Sequence, residues 1–200
     1  MTEQQIPKLV AALVEHQKYF GQLSTRDAQW AIEETEEAIS LFCHAVKDRA
    51  AKSAKLTIDR SLPFDPVEFI GPGWTIDEQD ERSLALTEVD FSKASFVSGV
   101  VGKPVTGEVK LMRLKIAGRI CFDAKIGQAL FEEEGQTTLR SIHNRFNISW
   151  FELAGTVLCD PFGLRYFLCF FRLGGCSWGR GYRCLDRDRS ATDVSPVLAS

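Results

Sequence analysis

The sequence lacks the short signatures by which many enzymes and cofactor-binding proteins are identified. It contains no Gly-x-Gly-x-x-Gly, no Walker loop, no Gly-x-Ser-x-Gly and no His-Glu-x-x-His. Nothing local therefore marks dinucleotide binding, nucleotide hydrolysis, serine hydrolysis or zinc proteolysis. Its six cysteines include no Cys-x-x-Cys pair, the spacing from which structural zinc sites usually draw two ligands. We therefore predict no metal site and no cofactor.

Long apolar runs and strong net charge are also lacking. The longest apolar candidate, YFLCFF, has the length of a buried strand, far short of the roughly 18–20 residues that span a membrane. The first residues, MTEQQIPK, show no basic region followed by an apolar run, so no secretory signal is expected. A net charge of -3 predicts no general attraction to nucleic acid or to a membrane. Free thiols in a reducing, cytoplasmic compartment are the expected state of the cysteines.

What the sequence does contain divides into three regions. Residues 1–56 carry two amphipathic helical patterns with a short break at Gly21, which predicts a helical hairpin. Residues 57–75 concentrate proline and glycine and are interpreted as a linker. Residues 76–200 are predicted to form a separate domain that ends in a β-hairpin.

Within that domain, helical patterns come before strand patterns. GEVKLMRLK (107–115), DAKIGQALFEEEG (123–135) and TLRSIHNRF (138–146) predict helices. From Ile148 onward, ISWFEL, GTVLC and RYFLCFF predict strands, with turn residues after the second and the third. The predicted fold class is therefore α+β, in which an N-terminal helical hairpin is followed by an α+β domain ending in an antiparallel β-meander.

The last predicted strand begins an unusual stretch, RYFLCFFRLGGCSWGRGYRCLDRDR (165–189), which can be tested as a hairpin. A two-residue loop at Gly174-Gly175 would place Cys169 opposite Arg180. A three-residue loop that begins at Leu173 would place Cys169 opposite Gly179. In neither register do two cysteines face each other, which disfavours a disulfide within the hairpin.

The two registers sort the surfaces differently, because a one-residue slip exchanges the faces of one arm relative to the other. The two-residue loop gathers large aromatic side chains on one face as a core. The three-residue loop leaves a second face on which aromatics stand beside small and polar residues, a mixture that suits recognition. The residues themselves favour neither register. The candidate ligand contacts are Phe167, Cys169, Phe171, Ser177, Gly179, Gly181, Arg183 and Arg187.

Residues 64–200 resemble a set of uncharacterised proteins from uncultured, small-genome bacteria. The resemblance is carried by FDPVEFIGPGWTIDEQDERSLALTEVD (64–90), GEVKLMRLK (107–115), RICFDAKIGQALFEE (119–133), GTVLCDPFGLRYFLCFF (155–171) and LDRDRSATDVSPVLAS (185–200). The segment 73–90 is the most specific of these. The resemblance implies no activity, cofactor or catalytic residue.

What the resemblance implies concerns variation in the final hairpin. Such relatives carry tryptophan at the positions of Arg172, Trp178, Arg180, Cys184 and Arg189. The positions between them hold varied residues, whose codons can be reached from an asparagine codon by replacing its adenines. That is the footprint of the adenine mutagenesis by which diversity-generating retroelements vary the surface of their target proteins, and it favours the three-residue loop. Here four of the five tryptophan positions hold arginine or cysteine, and no C-type-lectin-like ending, the usual home of such regions, is evident.

Three functions follow as hypotheses. The first is a non-enzymatic recognition protein that binds a protein or another macromolecule through the hairpin. The second is a nucleic-acid-binding module, because residues 161–190 hold six arginines and only two aspartates, and aromatic residues lie between the arginines. Against this hypothesis, the arginines divide between both faces of the hairpin. The third is a cysteine-dependent enzyme that uses Cys159 or Cys169 near His143, although no local sequence motif supports it.

Overall fold

A computed structural model of the protein describes residues 55–173 and 177–198, together with the isolated positions 24, 26, 29, 33 and 34. Apart from these isolated positions and its last two residues, the helical hairpin predicted for 1–56 lies outside the described residues. Everything from Lys55 onward falls in one compact unit, Ala50–Ser200. Within the described ranges, no helix combines the length and apolar character needed to cross a membrane. The predicted domain limits stay a prediction.

Helices and strands are interspersed along the described chain. The helices are α1 (Pro66–Phe69), α2 (Glu81–Leu84), α3 (Gly107–Ile116), α4 (Ala124–Glu132) and α5 (Thr137–Phe146). The strands are β1 (Lys55–Thr57), β2 (Thr75–Gln79), β3 (Glu88–Asp90), β4 (Ser95–Val97), β5 (Val105–Thr106), β6 (Ile120–Cys121), β7 (Trp150–Cys159), β8 (Arg165–Arg172), β9 (Trp178–Cys184), β10 (Asp188–Arg189) and β11 (Ser195–Leu198). They form four antiparallel sheets, ordered β1-β3, β10-β5, β4-β11-β6 and β2-β7-β8-β9.

Local sequence explains where the longer helices begin. Asp123 precedes α4, and its carboxylate accepts a hydrogen bond of 2.8 Å from the backbone of Ile126, the usual role of an N-cap aspartate. Thr106 caps α3 in the same way, more weakly, at 3.4 Å. Between α4 and α5 the chain turns through Gly135 and Gln136, both with positive φ, which sets the two helices side by side on one face of the largest sheet.

That face carries the main hydrophobic core. Side chains from α4 and α5 pack against alternate residues of β7, β8 and β9, all of them buried. Helix α4 comes very close to the sheet at Gly127, where an added Cβ would lie 2.2 Å from the Leu153 side chain. The shared core side chains are Ile126, Leu130, Leu139, Ile142, Phe151, Leu153, Leu168, Phe170 and Trp178.

The opposite face of the same sheet is covered over part of its area. Leu111 and Leu114 of α3 pack there with Val197 of β11 and Phe167 of β8. Contacts between β11 and β7 hold the three-stranded sheet against this side. The largest sheet is therefore covered on both faces over much of its area, and one of the parts left partly open lies toward the tip of the β8–β9 hairpin.

The predicted fold class, with helices first and an antiparallel meander last, is wrong. Strands also precede and separate the helices: β2 joins the meander from the N-terminal side, and β11 pairs with both β4 and β6. Many of these strands are two or three residues long. Such strands are too short to show an alternating pattern, and distant partners rather than local propensity stabilise them.

Candidate functional site

The β8–β9 hairpin has a register that neither sequence alternative gave. Cys169 lies opposite Gly181, whereas the two-residue loop placed it opposite Arg180 and the three-residue loop opposite Gly179. Both predicted registers are therefore wrong as written.

The tip of the hairpin explains the difference. The backbone N–H of Leu173 donates to the carbonyl of Ser177 at 2.9 Å, so the connection consists of residues 174–176, one position later than predicted. Moving a three-residue connection by one position changes the pairing by two residues, and a shift of two leaves every side chain on its face. The faces are therefore those of the predicted three-residue loop.

The cysteines of the hairpin do not face each other in this register. Cys169 is opposite Gly181, and Cys184 is opposite Tyr166. Among the described residues, Cys121, Cys159, Cys169 and Cys184 are free thiols.

The even-numbered face of the hairpin belongs to the structural core. Trp178 is buried there, and the guanidinium of Arg180 lies 3.8 Å from the ring centre of Phe69. Tyr182 packs on Trp74, with ring centres 4.8 Å apart. These cation–π and ring contacts stabilise the fold.

The inner half of the odd-numbered face is also covered. Phe167 and Cys169 are 0% and 1% exposed, and residues of α3 and β11 pack against Phe167. Two of the eight predicted ligand contacts therefore lie beneath the protein surface, where a ligand cannot reach them without displacing the core.

The outer half of this face forms a partly open aromatic surface. The rings of Trp150 and Phe171 stack with centres 5.9 Å apart and planes 21° apart. Gly179 lies beside Phe171, and a Cβ added to it would be 2.8 Å from the ring; at Gly181 the distance would be 3.3 Å. These glycines let the Phe171 ring lie flat against β9. We call Trp150, Phe171, Gly179 and Gly181 the aromatic shelf.

The remaining predicted contacts lie at or beyond the border of the shelf. Arg183 is half-buried, with its guanidinium 5.8 Å from the ring centre of Trp150. Ser177 is exposed at the end of the hairpin. Arg187 lies past the end of β9, and its carbonyl accepts from Arg189 at 2.6 Å. The structure thus brings together Phe171, Gly179, Gly181 and Arg183, and it adds Trp150, which the sequence analysis missed because it lies on a different strand.

A buried ionic network lies under the covered part of this face. Glu152 is 0% exposed and accepts from Lys110 at 2.8 Å, while its other oxygen lies 2.6 Å from Nε of Arg189, close enough for an ion pair but without hydrogen-bond geometry. Lys110 also donates to the carbonyl of Asp193 at 2.6 Å, and the Asp193 carboxylate pairs with Arg183. Burial lowers the pKa of Lys110 and of Arg189, and the charge of Glu152 opposes both shifts.

Most arginines of this region are engaged within the protein. Arg165 contacts three carboxylates, those of Asp77 at 2.7 Å, Glu78 at 3.2 Å and Glu108 at 2.5 Å. Arg189 is fully buried. Among the described residues of the hairpin, no continuous stripe of solvent-facing arginines is present, the arrangement that the nucleic-acid hypothesis needs.

The cysteine-enzyme hypothesis finds no support at Cys169, one of its two candidate nucleophiles. Burial raises the pKa of Cys169 to about 12, so its sulfur is a thiol rather than a nucleophilic thiolate at neutral pH. The ring nitrogens of His143 lie near the carbonyl of Ile148, the hydroxyl of Ser149 and the guanidinium of Arg172. Among the described residues, no three His, Cys, Asp or Glu side chains converge as metal ligands would.

Larger cavities lie at the other end of the sheet, beside α3. Two adjoining cavities of about 350 and 370 Å³ share Glu78, Leu111 and Lys115 in their walls. Lys115 pairs with Glu78 between them, and Arg82 in the first cavity pairs with Asp80 at 2.9 Å. These charged groups are matched to one another, so they do not indicate a ligand of either sign.

Comparison with known proteins assigns no function to this arrangement, since no protein-family model, curated protein or solved structure matches the chain.

Proposed function

We propose that the protein is a non-enzymatic binding protein whose ligand surface is the aromatic shelf, bordered by Ser177 and Arg183. The observation that carries the proposal is the partly exposed stack of Trp150 and Phe171 on the largest sheet. The ligand class that fits best is another protein, because Trp and Arg side chains dominate the binding energy of protein interfaces.

The position of the shelf favours tight recognition. Trp150 is on β7 and Phe171 on β8, and these two residues pair directly across the sheet. Side chains held on paired strands lose little conformational entropy when a partner binds. Leu173, 49% exposed, lies within van der Waals distance of a Cβ built at Gly179 and extends the apolar surface toward the tip.

A change in one shelf residue tests this proposal. The whole chain, as wild type, Phe171→Ala and Phe162→Ala, would be used to capture proteins from its source cells, followed by mass spectrometry. Phe162 is 88% exposed in the turn before β8 and serves as the matched control for loss of an exposed aromatic. We expect wild type and Phe162→Ala to capture a protein that Phe171→Ala does not. Measured with that purified partner, the affinity of Phe171→Ala should be at least tenfold weaker than that of wild type. Equal capture by all three would overturn the proposal.

We further propose that the shelf is the varied surface of a retroelement target protein, as the resemblance implies. The buried state of Phe167 and Cys169 adds a constraint, because core positions tolerate only replacements of similar volume. Variants of the gene in the source population would then differ freely at 177 and 187 but conservatively at 167 and 169. Absence of both a neighbouring reverse transcriptase gene and an imperfect repeat of the 3′ end of this gene would reject the retroelement origin.

A cytoplasmic site of action is part of the proposal. Its support is that the four described cysteines are free thiols, the state that a reducing compartment maintains. Formation of a disulfide between any two of them in protein isolated from source cells under thiol-blocking conditions would contradict it.

A further inference from the structure

A small cavity lies between α5 and the tip of the β8–β9 hairpin, apart from the aromatic shelf. It measures about 50 Å³ and is lined by Arg140, His143, Asn144, Arg172 and Trp178. The first three lie on one side of α5, because residues three and four positions apart share a helix face. Arg172 and Trp178 are directly paired across the hairpin. Regular secondary structure on both sides therefore fixes the walls of the cavity.

Hydrogen-bond donors dominate this lining. Two guanidinium groups, of Arg140 and Arg172, and the side-chain amide of Asn144 supply N–H groups. Trp178 is 3% exposed, and its indole N–H has no hydrogen-bond partner among the described residues. That indole nitrogen is itself buried, so the donors that reach the cavity are the guanidinium and amide groups, of which Arg140 also donates to the carbonyl of Gly135. No described carboxylate lines the cavity.

His143 completes the donor arrangement by holding Arg172 in place. Its Nε2 lies 2.9 Å from a guanidinium nitrogen of Arg172. Because a guanidinium only donates, Nε2 must accept, and the ring proton therefore resides on Nδ1. That nitrogen lies 3.0 Å from the carbonyl of Ile148, which accepts a hydrogen bond from the Nδ1–H. The imidazole thus orients the Arg172 guanidinium at the cavity.

We propose that this cavity binds one small oxyanion, a phosphate or sulfate group. Guanidinium groups form strong charge-assisted hydrogen bonds to such oxygens, and the cavity volume admits a group of a few heavy atoms but not a nucleotide. The phosphate is either a free ion or a monoester on a larger molecule, since both present the same oxygens to the site.

Titration of the whole chain with inorganic sulfate and phosphate tests the proposal, with sodium chloride at matched ionic strength as the reference. The indole N–H signal of Trp178, assigned through Trp178→Phe, would be followed by NMR. We expect a saturable change with sulfate and phosphate and none with chloride. Arg140→Gln should weaken binding about tenfold, the loss of one charge-assisted hydrogen bond.

Arg145→Gln is the matched control, because it removes the same charge from the same helix. Arg145 lies outside the cavity, against the Phe146 ring and the carbonyl of Ser92, so its loss should leave sulfate affinity within twofold. O-phosphoserine distinguishes the two sources: tighter binding than inorganic phosphate supports a monoester, and weaker binding supports a free ion. No saturable change with any of these anions, or equal weakening by Arg140→Gln and Arg145→Gln, would overturn the proposal.

Discussion

At the scale of single residues, the hairpin cysteines show how burial decides chemistry. Cys169 stands in a stretch rich in aromatics and arginines, a setting that on the sequence alone permits a nucleophile. Its side chain is enclosed between Glu152 and Gly181, and burial raises the pKa of the thiol to about 12. Burial likewise raises the pKa of Cys121 to about 11. Both therefore act as small apolar core residues at neutral pH.

These raised pKa values predict a loss of stability at alkaline pH. The unfolded Cys169 thiol ionises near its ordinary pKa of 9.0 and the folded one near 12. Its contribution to stability is therefore complete below pH 9 and is lost as the pH rises toward 12. We expect the difference in unfolding free energy between wild type and Cys169→Ala to shrink by about 2 kcal/mol between pH 8 and pH 10.5, as measured by urea denaturation.

The prediction concerns the difference between wild type and Cys169→Ala because Lys110 also titrates. Burial lowers the pKa of Lys110, so its deprotonation changes stability in the opposite direction over the alkaline range. Lys110 is common to wild type and Cys169→Ala, so its effect cancels in the difference. Leu168→Ala, next in the chain and buried but without an ionisable group, is the control, and its difference from wild type should not depend on pH. A constant difference for Cys169→Ala as well would show that the thiol is not buried as the structure places it.

At the scale of secondary structure, β7 shows a glycine that a distant contact requires. Gly155 begins the second of the two predicted segments, ISWFEL and GTVLC, yet β7 runs through both as one strand, with a register shift against β8 between Leu153 and Leu158. A Cβ at this position would lie 2.2 Å from the carbonyl oxygen of Cys121 and 2.7 Å from the backbone of Phe122. The glycine is there because another segment of backbone crosses the strand at close range.

Replacement of this glycine should therefore be severe. In Gly155→Ala the new methyl group meets backbone atoms, which cannot rotate away as a side chain can, so we expect a loss of about 3 kcal/mol or more in unfolding free energy. Gly181→Ala is the matched control, because its Cβ would meet only the Phe171 ring at 3.3 Å and the Cys169 sulfur at 3.7 Å. Equal losses for the two variants in chemical denaturation would argue against the close crossing at Gly155.

The same contrast between local and distant causes explains which elements were predictable. Helices at 107–116, 124–132 and 137–146 were found within a few residues, because periodicity and an N-cap such as Asp123 are local signals. The strands β6 and β11 were missed, because they exist through pairing with each other and, for β11, with β4. Part of the candidate site was found by alternation along β8 and β9. Trp150 and the cavity residues on α5 were not, because only the fold brings them to the hairpin.

At the scale of the whole molecule, the buried network centred on Glu152 joins parts of the chain that are far apart in sequence. Lys110 is 42 positions from Glu152 and 83 from Asp193, whose carbonyl it also contacts. Through these contacts α3, β7 and the segment after β10 are fixed to one another beneath the shelf. A buried charge of this kind is tolerated only when its partners are present, so the network ties the C-terminal segment to one position on the sheet.

Glu152→Gln should therefore destabilise the whole unit, because it leaves the cations of Lys110 and Arg189 buried without their carboxylate. We expect a loss of about 3–5 kcal/mol in unfolding free energy, measured by urea denaturation at neutral pH. Glu88→Gln is the control: Glu88 pairs with Lys55 at 3.3 Å, but both side chains are 56% exposed, so its loss should change stability little. Adding Lys110→Met to Glu152→Gln removes one unpaired cation and should restore part of the loss. If Glu152→Gln proved as mild as Glu88→Gln, the carboxylate would not be the buried partner of these two cations, and the C-terminal segment would have to be held by its strand pairing alone.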